Sequence, residues 1–541
     1  MKKRKIAKLL SLFLVSVLLV TGCGSGGSQT SSGDGSADKT TFVVGIDADI
    51  PTTDPAQCNA FTAEFVVDNM YDTLLQFSQD GTKIEPNLAK SYEMKDAKTY
   101  VYQLRDDVKF WDGNPMTAED VVYSLSRHMD ADNASLFGYF FDPVKSIEKT
   151  GDYEITIKLK EADVSFEYAL ATMAGAIVEK KFVEENGDQF GKPSVGTMAT
   201  GPFKYKSWTE GSQIVLEKNE EYWNKDVDTP FQTVEFNVIE DEASRAMALT
   251  SGQIDLMNKP SNDVREQLEN ASNVTYCVKD GYDNSYVAFN CSRAPFDDPN
   301  VRKAAAYAID AAAIALALNG EGNYKEASFL DFSPEIMKYD LDNWTKLDSE
   351  LESYEYNVEK AKEYLAKSKY PDGFECTMPT CAMVQKVSES VQYYLKEIGI
   401  TVNLETVPVS DFYSAIYGSV RDDNDKRDYD MIAFIWFPDY PDPISYLKTL
   451  YYSTGEGVGG SNMMGFQNEE FDKLMDKQAK QTDLAERSAT MQEAYKLLNE
   501  ECPTKQICYC GPTYAINSAY TLDMSPMWFW NFNIVQVKKA N

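Results

Sequence analysis

Hydrophobic and polar positions follow two periods along this chain. Tyr100, Tyr102 and Leu104 interleave with Val101, Gln103 and Arg105, and Ile155, Ile157 and Leu159 interleave with Thr156, Lys158 and Lys160. Period two predicts half-buried strands. Residues 42–46, 214–216 and 234–239 predict further strands, and the short unbroken apolar run 431–437 reads as a strand buried on both faces. Between them, Thr117 and Asp120 make a capping-box-like start before Val121, Val122, Leu125 and Met129, which predicts an amphipathic helix over 117–129. Asp298-Pro299 supplies an N-cap and a proline at N1, opening an alanine-rich helix to about 318. Residues 387–398 form another helical stretch, stopped by Gly399 before a strand at 400–404. Asp442-Pro443 repeats the capping device, and 484–498 predicts one more helix. Strands and helices interleave throughout with no internal repeat, so the fold class is α/β.

Composition narrows the function. A chain of 541 residues, 43% hydrophobic and 12% aromatic, buries several cores and is not disordered. Length alone suggests three or four units or one large multi-lobed body, at about 150 residues per domain. Against 85 Asp and Glu stand 52 Lys and Arg, a net charge of -33 that repels phosphate backbones and excludes nucleic acid as a partner. His128 is the single histidine. A His-dependent hydrolase would rest on it alone, and its place beside Met129 at a helix end reads as a last-turn histidine favoured by the macrodipole.

The first residues indicate export. Lys2, Lys3, Arg4, Lys5 and Lys8 precede an apolar run over 9–20, interrupted only by Ser11 and Ser16. Twelve residues rise about 18 Å as a helix, too little for a hydrocarbon core of about 30 Å, so 1–22 reads as a signal peptide. Val20-Thr21-Gly22-Cys23 resembles the bacterial lipobox, which implies acylation of Cys23 and an extracytoplasmic protein held to the cell membrane by lipid. Residues 24–40 carry no large apolar side chain and form a flexible tether, with 23–40 as the anchoring segment. Eight cysteines remain. Disulfides and buried thiols are both open, and Cys502, Cys508 and Cys510 match no zinc spacing, so neither a metal nor a cofactor is expected.

A collinear set of motifs then carries a family resemblance. YVYQLRDDVKFWDGNPMTAEDVVYSLSR over 100–127 is followed by TGPF from Thr200, LEKNEEYW from Leu216, ALTSGQIDL from Ala248, FNCSRAPFDDPNVRKAAAYAID from Phe289, EIGITV from Glu397 and DYDMIAFIWFPDYPDP from Asp428. PNLAKSYE from Pro86 precedes the TGPF match. This set resembles the large extracytoplasmic solute-binding proteins of peptide ABC importers, the dipeptide- and oligopeptide-binding group of bacterial family 5. Two departures are Trp111, where the family usually carries His, and Met198-Ala199, which lengthen the loop before Thr200-Gly201-Pro202. The resemblance implies a two-lobed, periplasmic-binding-protein-like clamp with an extra N-terminal subdomain and an interlobe ligand cleft. It places 41–87, 191–281 and 502–541 in the first lobe, 88–190 in the inserted subdomain and 282–501 in the second lobe. It also implies a monomeric binding protein, not an enzyme, that passes its ligand to permease subunits.

Asp439 is the leading ligand-binding candidate, because it follows the buried strand and ligands of α/β sheets bind beyond the carboxyl ends of strands. The resemblance implies that it pairs with a peptide's α-ammonium group; a turn cap before Tyr440-Pro441 is the other reading. Trp436 and Phe437 are candidate pocket walls, and Tyr286 matches an aromatic that lines the cleft in some relatives. Asp442 reads as a helix N-cap. Arg421 and Arg427 are candidates for the peptide carboxylate. The same scaffold carries nickel complexes, oligosaccharides, haem and opines in relatives, and a peptide-sensing receptor would need the same closure. A secreted hydrolase is disfavoured, since no GxSxG elbow occurs.

Overall fold

The computed structural model describes residues 39–540 except 59–60, 134, 280, 419–425, 457–459 and 526–531. The signal peptide, Cys23, most of the tether and Arg421 lie outside the described residues.

The seven-stranded sheet runs in the order Val274–Val278, Thr513–Asn517, Leu256–Asn258, Thr41–Ile46, Thr233–Val238, Gln213–Lys218, Phe203–Thr209. Its centre is Thr41–Ile46, parallel to both neighbours. Phe42, Val44 and Ile46 enter the large core, whereas Val43 packs on the other face with Ala246, Leu249 and Met257. Both faces are thus covered, as parallel pairing requires.

The strands Ala89–Asp96, Thr99–Leu104, Glu154–Leu159 and Val144–Gly151 form an antiparallel sheet. Tyr100, Tyr102 and Leu104 are buried, as their alternation predicts. The helix Ala118–Ser126 packs beside it with the expected capping box between Thr117 and Asp120. Trp111, which stands where the family usually has His, donates its indole N–H to the Gly201 carbonyl at 3.1 Å. The macrodipole reading of His128 is corrected. Its ring is buried, stacked on Phe141 at 4.7 Å and hydrogen-bonded to the Ser135 hydroxyl at 2.7 Å. Burial, with the Arg127 charge adding, pushes it down to about 3, so it is a neutral core group.

The third sheet has the order Lys325–Glu326, Thr504–Cys510, Asp283–Phe289, Met431–Trp436. Thr504–Cys510, within the 502–541 stretch expected in the first lobe, is an interior strand of this sheet, paired with Asp283–Phe289 on one side and Lys325–Glu326 on the other. Its residues up to Tyr509 are all buried there. The alanine-rich helix is also corrected, to Pro299–Ala308 and Ala311–Asn319. Asp310 breaks it by turning its carboxylate onto the Ala313 N–H at 3.0 Å, capping the second segment. All eight described cysteines are free thiols.

The chain leaves the seven-stranded sheet after Val278 and joins the third sheet at Asp283, then returns between Cys510 and Thr513, and Gly281 packs against Gly511 where these crossings meet. A Cβ on Gly281 would stand 2.4 Å from the Gly511 Cα and 2.8 Å from the Cys510 carbonyl oxygen, so backbone would have to move. Gly281→Ala is therefore expected to lower stability by about 1–3 kcal/mol, the usual range for overpacking. A urea midpoint unchanged from the parent would contradict this close approach.

Candidate functional site

The candidate site begins where the strand Met431–Trp436 leaves its sheet. Trp436 is the last paired residue, opposite Asn284. Pro438 has no backbone donor to continue the ladder, so the chain turns and presents Asp439 beyond the strand's carboxyl end. The Tyr139 hydroxyl, from the short helix Gly138–Phe141, donates to Asp439 Oδ1 at 3.2 Å. Tyr139 keeps 47% of its surface exposed, which leaves this side of the carboxylate reachable from solvent. Next to it, Tyr440 stacks on Tyr168 at 5.0 Å. Burial raises Asp439 to about 7, opposed by the Tyr139 hydrogen bond. A carboxyl so disposed favours protonation until a cation reaches it.

Elsewhere in the chain, the helix Phe61–Val67 and Lys259 come to this place. Lys259 sits at φ 46°, and this left-handed turn follows the strand Leu256–Asn258. Its ammonium lies 3.6 Å from the Phe61 ring centroid and 5.3 Å from that of Phe437. Glu64 is fully buried, and neither carboxylate oxygen has a hydrogen-bond partner among the described residues. Burial holds Glu64 well above the usual carboxylate range; Asp68 and Asp439 push the same way and Lys259 opposes them. Burial likewise lowers Lys259 and raises Asp283, each moderated by the other's charge. Lys259 and Asp283 also border a cavity of about 270 Å³ beside the crossings, with Cys510 and Thr513 in its wall.

The other sequence candidates separate. Phe437 joins the site through its ring face. Trp436 is 8% exposed, and its indole N–H is buried without an acceptor among the described residues. Tyr286 lies in the core: it is fully covered, its hydroxyl reaches Met463 Sδ at 3.6 Å, and Phe434 meets its ring edge. Arg427 is also fully covered and donates to the carbonyls of Ile416 and, at 3.0 Å, Gly460, so its guanidinium is committed to backbone. Asp442 does cap the Ile444 N–H at 2.9 Å, but its larger role is a buried two-point pair with Arg487 at 2.6 and 2.9 Å. Glu64, Lys259 and Tyr139 were not singled out by sequence. Glu64 left a faint signal as an acid between Ala63 and Phe65 in a mostly apolar stretch; Lys259 and Tyr139 left none. Among the described residues no cluster of His, Cys, Asp or Glu is arranged to hold a metal ion, and no helix is long and apolar enough to cross a membrane.

A two-lobed α/β body with a polar site beyond a strand end is the architecture of a solute-binding protein. The bacterial extracellular solute-binding proteins, family 5 Middle, match residues 83–457, and the chain belongs to that family. Its relatives are binding proteins and not enzymes. It is 29% identical over 545 residues to the oligopeptide-binding protein AppA of Bacillus subtilis, covering 94% of each chain. Among solved structures it resembles the periplasmic binding protein DppA from Helicobacter pylori in complex with the peptide STSA, with TM-score 0.77, 26% identity, and 92% and 98% of the two chains covered. It also resembles the binding protein AgaA of A. tumefaciens R10 in complex with agropinic acid, with TM-score 0.75, 25% identity, and 93% and 99% covered.

Proposed function

We propose that this protein captures peptides between its lobes and delivers them to the permease subunits of an ABC importer, as a monomer tethered to the membrane through acylated Cys23. The single observation that carries the peptide reading is Asp439: a half-buried carboxyl on a turn beyond a strand end, raised by desolvation and held by Tyr139 from another part of the chain. A ligand ammonium would stabilise its charged form, and main-chain hydrogen bonds along an extended peptide would complete the pair. Phe437 and Trp436 are the proposed walls. The relatives named for oligopeptides and the peptide-bound DppA structure support this reading. The proposed lobes are 41–87 with 191–281 and 511–541, the inserted 88–190, and 282–510, the last boundary moved by the placement of Thr504–Cys510.

The likeness to the agropinic acid complex favours a second reading, an opine ligand. Native mass spectrometry of protein as purified, compared with protein unfolded and refolded to strip ligand, separates the two. Bound masses that fragment as peptides and vanish on refolding are expected. A bound opine, or no ligand together with no peptide rebinding, would overturn the peptide reading.

A further inference from the structure

Glu64 is not explained by a single ammonium anchor at Asp439. Its two oxygens are sealed from solvent with no hydrogen-bond partner among the described residues, an arrangement that costs free energy unless protonation or a cation completes it. The charges that act on it are Asp68 and Asp439, both acidic, and Lys259. Two carboxyls thus share this place with Glu64 and one ammonium. No described side chains are arranged to ligate a metal ion, which points to an organic cation.

The surroundings show what kind. Lys259 already places an ammonium over the ring faces of Phe61 and Phe437, so these rings form a seat that accepts a primary ammonium by cation–π attraction. Lys259 also has somewhere else to go, because Asp283 acts on it from the border of the adjoining cavity. A flexible four-carbon stem can swing toward that carboxylate and leave the rings and Glu64 to an incoming cation.

Resting on the reading of Asp439 as the α-ammonium anchor, we infer that Glu64, Phe61 and Phe437 form a second cation subsite beside it. The preferred ligand then carries a second ammonium group besides its α-ammonium, as a peptide with lysine at its first position does. The α-ammonium pairs with Asp439 and the side-chain ammonium with Glu64. Free lysine shares this chemistry, and the test separates the two sources.

Isothermal titration of ligand-stripped full-length protein would use Lys-Ala-Ala, norleucyl-Ala-Ala, which has a side chain of similar length without charge, and free lysine. Lys-Ala-Ala is expected to bind at least tenfold more tightly than norleucyl-Ala-Ala, and Glu64→Gln is expected to bring that ratio to within twofold. Phe61→Leu, which removes one ring face, is expected to reduce the ratio as well and serves if Glu64→Gln does not fold. Equal binding of the two peptides by the parent protein, or a ratio preserved in the variants, overturns the subsite while leaving the peptide reading standing. Free lysine binding as tightly as Lys-Ala-Ala keeps the subsite and overturns the peptide reading. Binding of none of the three overturns both.

Discussion

Asp439→Ala is expected to weaken peptide binding by at least about 30-fold, since truncating one partner of a buried, hydrogen-bonded charge pair typically costs 2–5 kcal/mol. The loss arises because the ammonium loses its counter-charge and the Tyr139 hydroxyl loses its acceptor. Asp439→Asn keeps the shape and loses only the charge, so it should share most of the loss. Calorimetric titration of ligand-stripped protein reads both, and an Asp439→Ala affinity within threefold of the parent would remove Asp439 as the anchor.

The raised value of about 7 for Asp439 adds a pH dependence of definite sign. Below that value the free site holds a proton that the ligand ammonium must displace, so affinity is expected to fall as pH drops from 7 to 5, and Asp439→Asn should flatten that part of the profile. Stability of the unliganded protein runs the other way at this group. The folded form holds its proton more tightly than the unfolded chain, whose aspartate titrates near 3.9. The contribution is complete below about 4 and is lost as pH rises through 7. An affinity that stays constant from pH 5 to 7 would show that Asp439 ionises normally.

Arg487→Met carries the largest expected loss of stability, about 3–5 kcal/mol, because it strands the Asp442 carboxylate in the interior. The two side chains are 3% and 1% exposed and meet at two points, and Gln478 Oε1 accepts from Arg487 Nε at 2.9 Å. The double variant Asp442→Leu with Arg487→Met removes both charges and is expected to recover much of that loss. Urea denaturation of the two variants tests the claim; a single variant within 1 kcal/mol of the parent would show that the pair is not a buried, obligatory one. This pair lies three residues from Asp439, so it also holds the turn that presents the site.

Local pattern made much of this molecule legible. The alternation at Tyr100, Tyr102 and Leu104, the capping box at Thr117 and Asp120, and the left-handed Gly399 between a helix and a strand are all present as expected. These features depend on residues within a few positions of one another. Where a choice depended on distant partners, local reading fell short. Thr504–Cys510 could join any of the sheets, and only its pairing with Asp283–Phe289 places it in the third. The break at Asp310 competes with helix-favouring alanines on both sides, and one side-chain cap decided it.

The site divides in the same way. By itself the sequence determined the α/β class, the net negative charge and the presence of an aspartate just past a buried strand, because each rests on composition or on short-range order. The tertiary structure alone decided that Tyr286 and Arg427 are covered, that Tyr139 reaches Asp439, and that Glu64 and Lys259 approach the same place from distant parts of the chain. Burial and electrostatic environment are sums over groups hundreds of residues apart, and no window along the chain contains them.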